Sequence, residues 1–181
     1  WLWAQTQEEC FKNVLLAAEM KSEHPLAGAI VTSLQDEEKV KPAPLESFES
    51  ITGKGVKVIY EGDLFWVGSH KLLKDFDAIV TDVMADMLVQ YESEGNGIIY
   101  FGRENQLLAI IAVTDAIKST SSEAVKELRR QGIDICMLTG DGQRTALAVA
   151  GKLGIDRFIA DALPDDKEDF IRELQLQGKT V

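Results

Sequence analysis

His24 stands directly before Pro25 in the stretch KSEHPLAGAI (Lys21–Ile30), where an apolar helical pattern begins. Proline is favoured at the first helical position, which puts His24 at or near the N-cap. The positive end of a helix dipole disfavours an imidazolium, so the ring is expected to be neutral. The helix start also leaves free N–H donors beside it. A flat, neutral ring next to free donors suits stacking on a nucleobase. Glu19 lies five residues earlier, near the end of the preceding helical pattern. A carboxylate there can accept from an exocyclic amine, which adenine has and guanine lacks at that ring position. The same residues also describe a solvent-exposed His in a helix–helix turn.

Three further stretches have chemical content. TGKGVKV (Thr52–Val58) carries Gly53 and Gly55. It is not a dinucleotide fingerprint, because a β-like run follows it where a helix is required. Close backbone approach to a ligand is one use for such glycines, and an ordinary turn is the other. WVGSH (Trp66–His70) is read in the same two ways, with Gly68 as its small residue. CMLTGDGQRTA (Cys136–Ala146) is a strand that ends in Thr139, Gly140 and Asp141 and runs into a helix. A hydroxyl and free N–H groups at the carboxyl end of a strand form a phosphate site in open α/β sheets. LPDDK (Leu163–Lys167) then offers a lysine at the next helix start, where its ammonium can neutralise a phosphoryl group as a point charge. Taken singly, Lys167 also fits a solvated helix face and Asp141 a turn. The placing of Thr139 and Lys167, each after a predicted strand, is what supports the phosphate reading.

The elements that must hold these residues follow from periodicity. Phe11, Val14, Leu15 and Ala18 predict a helix running to about Met20, and Leu26, Ile30 and Leu34 a second one starting at Pro25. LESFESI, GVKVIY and LFWVG, separated by glycines and polar turns, predict an antiparallel sheet. Ile79, Val83, Met87 and Tyr91 mark a helix closed by Gly95. GIIYFG and LLAIIAV are two strands joined by RENQ. Beyond Asp115 the pattern changes. A capping box, Thr120 to Glu123, opens a helix that ends at Gly132. Strand IDICML, helix RTALAVAGKLG, strand RFIA and helix DDKEDFIRELQLQG follow. That alternation predicts a parallel sheet. The fold class is α/β: an α+β domain over residues 1–113, then a partial Rossmann-like domain over 114–181.

Composition narrows the partners. The net charge of −11 argues against nucleic acid and anionic membrane surfaces. Cys10 and Cys136 are far apart and form no CxxC motif, as expected of free thiols in a reducing compartment. The apolar run LLAIIAV (Leu107–Val113) is too short to span a bilayer, and no signal peptide pattern opens the chain. These features lead to the expectation of a soluble, cytosolic piece.

SEHPLAGAI, GKGVKV, VGSHKLL, AVTDAIK, MLTGDGQRTA and ALPDDK occur in the order seen in P-type ATPases that pump heavy-metal ions (type IB). The chain resembles that family over nearly its whole length. SEHPLA is similar to the signature of the heavy-metal pumps' nucleotide domain, and TGD and PDDK to motifs of the wider haloacid-dehalogenase superfamily. The resemblance implies that Glu19 and His24 hold adenine, that Gly53 and Gly55 lie beside the nucleotide, and that Gly68 makes a further contact. It implies that Asp115 lies near an interdomain hinge. It also implies that the Thr139 hydroxyl, with Gly140 and Asp141, binds the phosphoryl group, which Lys167 neutralises.

The departures are specific. Ser69 and Gly142 stand where the family usually has Asn, and neither DKTGT nor GDGxND occurs. The implied protein is thus a cytosolic fragment of a heavy-metal pump, with copper as the expected cargo. The fragment is expected to bind ATP or ADP without turning it over, and its Mg2+ site is expected to be incomplete. The transported metal would be bound elsewhere in the parent chain, and no metal ligands are assigned here. Its partners would be other domains of the same pump, at the cytoplasmic face of a membrane. A soluble haloacid-dehalogenase-type phosphatase and a stand-alone adenine-nucleotide sensor are the alternatives.

Overall fold

β-branched and aromatic residues alternate with polar ones through the first part of the chain, and there they build one antiparallel sheet. In the computed structural model, residues 2–4, 11–37, 39–114, 117–118 and 120–181 are described. Cys10 and Asp115, the latter with its expected place near a hinge, fall outside them. The residues group into two compact units, one of residues 1–92 and 96–115, the other of residues 93–95 and 116–181.

The first unit carries strands β1 (Leu2–Trp3), β2 (Ser47–Ile51), β3 (Gly55–Tyr60), β4 (Asp63–Gly68), β5 (Gly97–Arg103) and β6 (Gln106–Val113). Their order is β1-β6-β5-β4-β3-β2, with every neighbouring pair antiparallel. Period-two alternation sends Phe65, Val67, Ile99 and Phe101 to one face and Trp66, Tyr100 and Ile110 to the other. A bulge after Phe101 shifts the register on β6. Helices α1 (Lys12–Glu19) and α2 (Ala27–Gln35) cover the first face, burying Val14, Leu15, Ala18, Ile30 and Leu34. Helices α3 (His70–Asp75) and α4 (Asp82–Ser93) cover the second through Leu72 and Met84. Both faces are therefore dry, which is why β5 and β6 read as nearly continuous apolar runs. Full burial of a side chain such as Phe65 stabilises by roughly 1.5–3 kcal/mol.

The second unit alternates helix and strand: α5 (Ser121–Arg130), β7 (Cys136–Leu138), α6 (Gln143–Leu153), β8 (Arg157–Ile159) and α7 (Pro164–Leu176). β7 and β8 pair in parallel, as the alternation predicts. Among the described residues, its buried side chains are few and small: Thr145, Ala146, Ala150 and Ala162.

Local differences from the sequence expectations have physical causes. α2 starts at Ala27, not Pro25. The Ala27 N–H donates to the His24 carbonyl at 3.0 Å, so a tight turn over Pro25 and Leu26 precedes the first α-helical residue. The capping box at Thr120 is not formed. Thr120 already has helical backbone (φ −78, ψ −13) and makes no side-chain cap, whereas a capping hydroxyl reaches its N–H from an extended residue. WVGSH is not a turn: β4 runs to Gly68 and α3 starts at His70. That six-residue helix and the two-residue β1 are too short for a periodic pattern to announce them.

Candidate functional site

α1 crosses its sheet lengthwise, and that crossing gathers the nucleotide-type residues. At its start the Phe11 ring lies 5.1 Å from that of Phe65 and beneath the Arg103 guanidinium, 5.3 Å away. Beyond its end Leu26 lies against Gly97, where an added Cβ would come 2.8 Å from Leu26 Cδ1. Gly68 pairs with Tyr100, and Gly97 continues β5 past that pair in the same direction. Gly68 in turn pairs with Gly55. The turn from Glu19 to Leu26, the hairpin of Gly53 and Gly55, and Gly68 therefore lie at one end of one sheet.

Each member has a structural reason for its place. Lys54 N–H donates to the Ile51 carbonyl at 3.0 Å, closing the β2–β3 turn, with Gly53 at φ 69 inside it. Gly55 has φ 145, a conformation open to glycine alone, and an added Cβ would come 2.1 Å from the Val67 carbonyl oxygen. His24 is exposed, and its Nδ1 accepts from the Leu26 N–H at 3.3 Å. Acting as an acceptor at Nδ1 is what a neutral ring with its hydrogen on Nε2 can do.

Two buried polar atoms at this end have no hydrogen-bond partner among the described residues: Glu19 Oε2 and Ser69 Oγ. Buried polar groups are nearly always paired, so each orphan calls for an explanation. Glu19 is only 4% exposed although it is a carboxylic acid. Burial pushes its pKa up from 4.5 to about 7, and the Ser22 side chain pulls weakly the other way. Ser69 is the N-cap of α3 yet gives that helix no side-chain bond, while its N–H donates to the Lys54 carbonyl at 2.8 Å. Its sequence position, after a strand-ending glycine and before a helix start, was the available signal for it. A cavity of about 210 Å³ opens beside the end of α1, lined by Ala17, Met20, Lys21, Pro42, Ala43 and Leu45; none of these is a residue singled out from the sequence.

In the second unit the loops after β7 and β8 are laced together. Ala162 N–H donates to the Thr139 carbonyl at 2.9 Å, and Asp161 N–H to the Asp141 carbonyl at 2.8 Å. Both loops end in helix starts, with Gly142 before α6 and Leu163 before α7. Thr139, Gly140, Asp141 and Lys167 thus share the carboxyl edge of the parallel pair, Lys167 within the first turn of α7. Asp166 Oδ2 accepts from the Leu163 N–H at 2.8 Å and fixes that helix start. Asp161 holds a left-handed backbone (φ 56) between the two loops. The Thr139 hydroxyl donates to Asp141 Oδ2 at 2.7 Å, and its oxygen accepts from the Asp141 N–H at 3.1 Å. A phosphoryl oxygen would have to compete with Asp141 for that hydroxyl proton. Lys167 forms no ion pair among the described residues. Nor, among them, do three or more His, Cys, Asp or Glu side chains gather as for a metal ion.

Comparison with known proteins adds three findings. The family described as haloacid dehalogenase-like hydrolase matches residues 2–181. The chain is 40% identical over 169 residues to a copper-exporting P-type ATPase of Staphylococcus epidermidis and 38% identical over the same length to one of Staphylococcus aureus. Each match takes in 93% of this chain and 21% of the relative, so the chain spans about a fifth of the length of these relatives. Among solved structures, a zinc-transporting PIB-type ATPase in its E2.Pi state is similar with 29% identity and a TM-score of 0.53, over 96% of this chain and 27% of that one. The catalytic domain of the CPx-ATPase CopB-B shares the fold with a TM-score of 0.68 at 20% identity, over 94% of this chain and 58% of that one.

Proposed function

The chain belongs to the haloacid dehalogenase-like hydrolase family, and from that membership we propose that it serves an ATP-driven pump for a heavy-metal cation. Residues 1–113 bind the adenine nucleotide and residues 114–181 handle the phosphoryl group. Copper is the proposed cargo, as in the Staphylococcus relatives' names. No helix among the described residues is long and apolar enough to cross a membrane, so the transport path belongs to other parts of the pump.

The observation that carries the reading is the pair of orphaned atoms, Glu19 Oε2 and Ser69 Oγ, at the sheet end that also bears an exposed His24 whose Nδ1 accepts a hydrogen bond. Glu19 accepts from the exocyclic amine of adenine. The His24 ring stacks on the base. Ser69 takes a hydrogen bond to the nucleotide in place of the amide usual in the family. Gly55 and Gly68 keep the backbone low beside it. On the second unit the Thr139 hydroxyl and Lys167 hold the transferring phosphoryl group, with Asp141 orienting the hydroxyl. Lys167 offsets the charge that gathers on that group. ATP supplies the phosphoryl group. Magnesium, if bound, would need ligands beyond Asp141, and no step here is routed through it.

Amide NMR titration with ATP and GTP tests the proposal. Shifts at residues 19–26, 53–55 and 68–69, with ATP binding the tighter, are expected. Equal affinity for the two nucleotides, or shifts confined to other residues, would overturn it.

A further inference from the structure

Glu19 is the last residue of α1, sealed from solvent, with one carboxyl oxygen unpartnered among the described residues. Among the described residues no cation forms an ion pair with it. Of the elements packed against α1, α2 has no ionisable side chain at all. On α1 itself Lys12 is spent on Glu37, 2.8 Å away. In the following turn Lys21 lies over the Phe48 ring, and Glu23 and His24 are exposed. On β3, Lys57 lies over Phe76 on the opposite face of the sheet, and Tyr60 is at the far end. On β4, Asp63 is bound to Arg103, also at the far end. The loop that reaches α1 through Ala43 carries exposed Asp36, Lys39, Lys41 and Glu46 and the half-buried Glu37 already paired with Lys12. The end of α1 adds a partial negative charge of its own.

We propose that Glu19 is a proton-exchanging specificity residue: the empty site holds it as a neutral carboxylic acid, and an arriving adenine amine displaces its proton to solvent. The proposal rests on the nucleotide reading above and goes beyond it, because contact with the base need not involve any proton.

The chemistry balances without a further reactant. Without a ligand, burial outweighs the Ser22 side chain at Glu19 and favours the uncharged form. An exocyclic N–H donor replaces the missing partner and favours the carboxylate. One proton leaves as one amine arrives. Adenine nucleotides are thereby selected over bases that present a carbonyl at that position, and the selection sharpens as pH rises through neutrality.

Adenosine is the probe, since it has no phosphate to confuse the proton count. Dissociation constants are read from amide NMR titrations at pH 6, 7 and 8 for the wild-type chain, Glu19→Gln and His24→Ala. The wild type should bind about tenfold more tightly at pH 8 than at pH 6, as expected when only the ionised acid binds. Glu19→Gln should lose that slope. His24→Ala should bind more weakly throughout and keep it. A flat wild-type profile, or an unchanged slope in Glu19→Gln, overturns the inference while leaving nucleotide binding intact. No adenosine binding by the wild type at any pH sinks the nucleotide reading and this inference together. Should Glu19→Gln not fold, the carbon-13 resonance of the Glu19 carboxyl in the wild type decides: its titration midpoint must fall when adenosine is added, and a midpoint that stays or rises overturns the proposal.

Discussion

Gly55 and Gly68 face one another across the β3–β4 ladder, and neither has room for a side chain. A Cβ on Gly68 would come 2.2 Å from the Lys54 carbonyl oxygen and 2.9 Å from Gly55 Cα. The two glycines let the strands close at the end of the sheet where Glu19 and His24 gather. Gly68→Ala should therefore destabilise the first unit by roughly 1–3 kcal/mol, as overpacking does. Urea unfolding followed by tryptophan fluorescence measures it. A change near zero would mean that these glycines serve only a ligand and not the sheet.

His24 accepts at Nδ1 from the Leu26 N–H, a role open to the neutral ring. Truncating it to alanine should weaken ATP binding by roughly 1–3 kcal/mol if stacking dominates. Calorimetry on both proteins gives the difference. Imidazole NMR supplies the independent check: ATP should not raise the ring's pKa, since a rise would mean that the ring meets phosphate as a cation.

The raised Glu19 pKa also makes folding depend on pH. The native state keeps the proton up to about pH 7, while the unfolded chain releases it near 4.5. Between those values the native state binds more protons, so stability falls as pH rises. The stabilisation from the neutral form is complete below 4.5 and lost above about 7. Glu19→Gln removes the effect. Its stability relative to wild type should rise by roughly 3 kcal/mol between pH 4.5 and pH 8, read from urea midpoints across the range. A constant difference between the two proteins would contradict the burial argument.

The second unit should be the softer one. Parallel strands are usually covered on both faces, yet every residue of β7 and β8 retains some exposure. The amides of those strands should exchange with deuterium well before those of β4, β5 and β6, which flank the apolar core. Hydrogen-exchange mass spectrometry at neutral pH reports the order, and equal protection would refute the claim.

The chain as it stands should bind ATP without taking its phosphoryl group. The Thr139 hydroxyl is already engaged with Asp141, and an ammonium such as Lys167 is no nucleophile. Incubation with γ-³²P-ATP, followed by acid precipitation and hydroxylamine treatment, should show no labelled carboxylate. Label on a carboxylate would place an acceptor among these residues and reverse the assignment of roles.

Much of this protein is legible in its sequence. Period-two runs such as GVKVIY and period-3.6 runs such as Val14, Leu15 and Ala18 each turn one apolar face away from water, so they specify strand and helix locally. The helix–strand alternation after Asp115 specifies a parallel pair because that connection has few other solutions. His24 before Pro25 announces a helix entry for the same reason: proline's fixed φ constrains its neighbours, whatever lies elsewhere. Non-local matters were decided by tertiary structure. No local rule says that Gly55 meets Gly68, that Leu26 lies on Gly97, or that Asp161 ties the loop of Thr139 to the helix start of Lys167. Those are pairings between distant segments, set by sheet register and by which face each helix covers. Above all, Glu19 reads in sequence as an ordinary acid at a helix end. Its raised pKa and orphaned oxygen arise only when α1 lies down on β3 and β4 and excludes the water that would have solvated it.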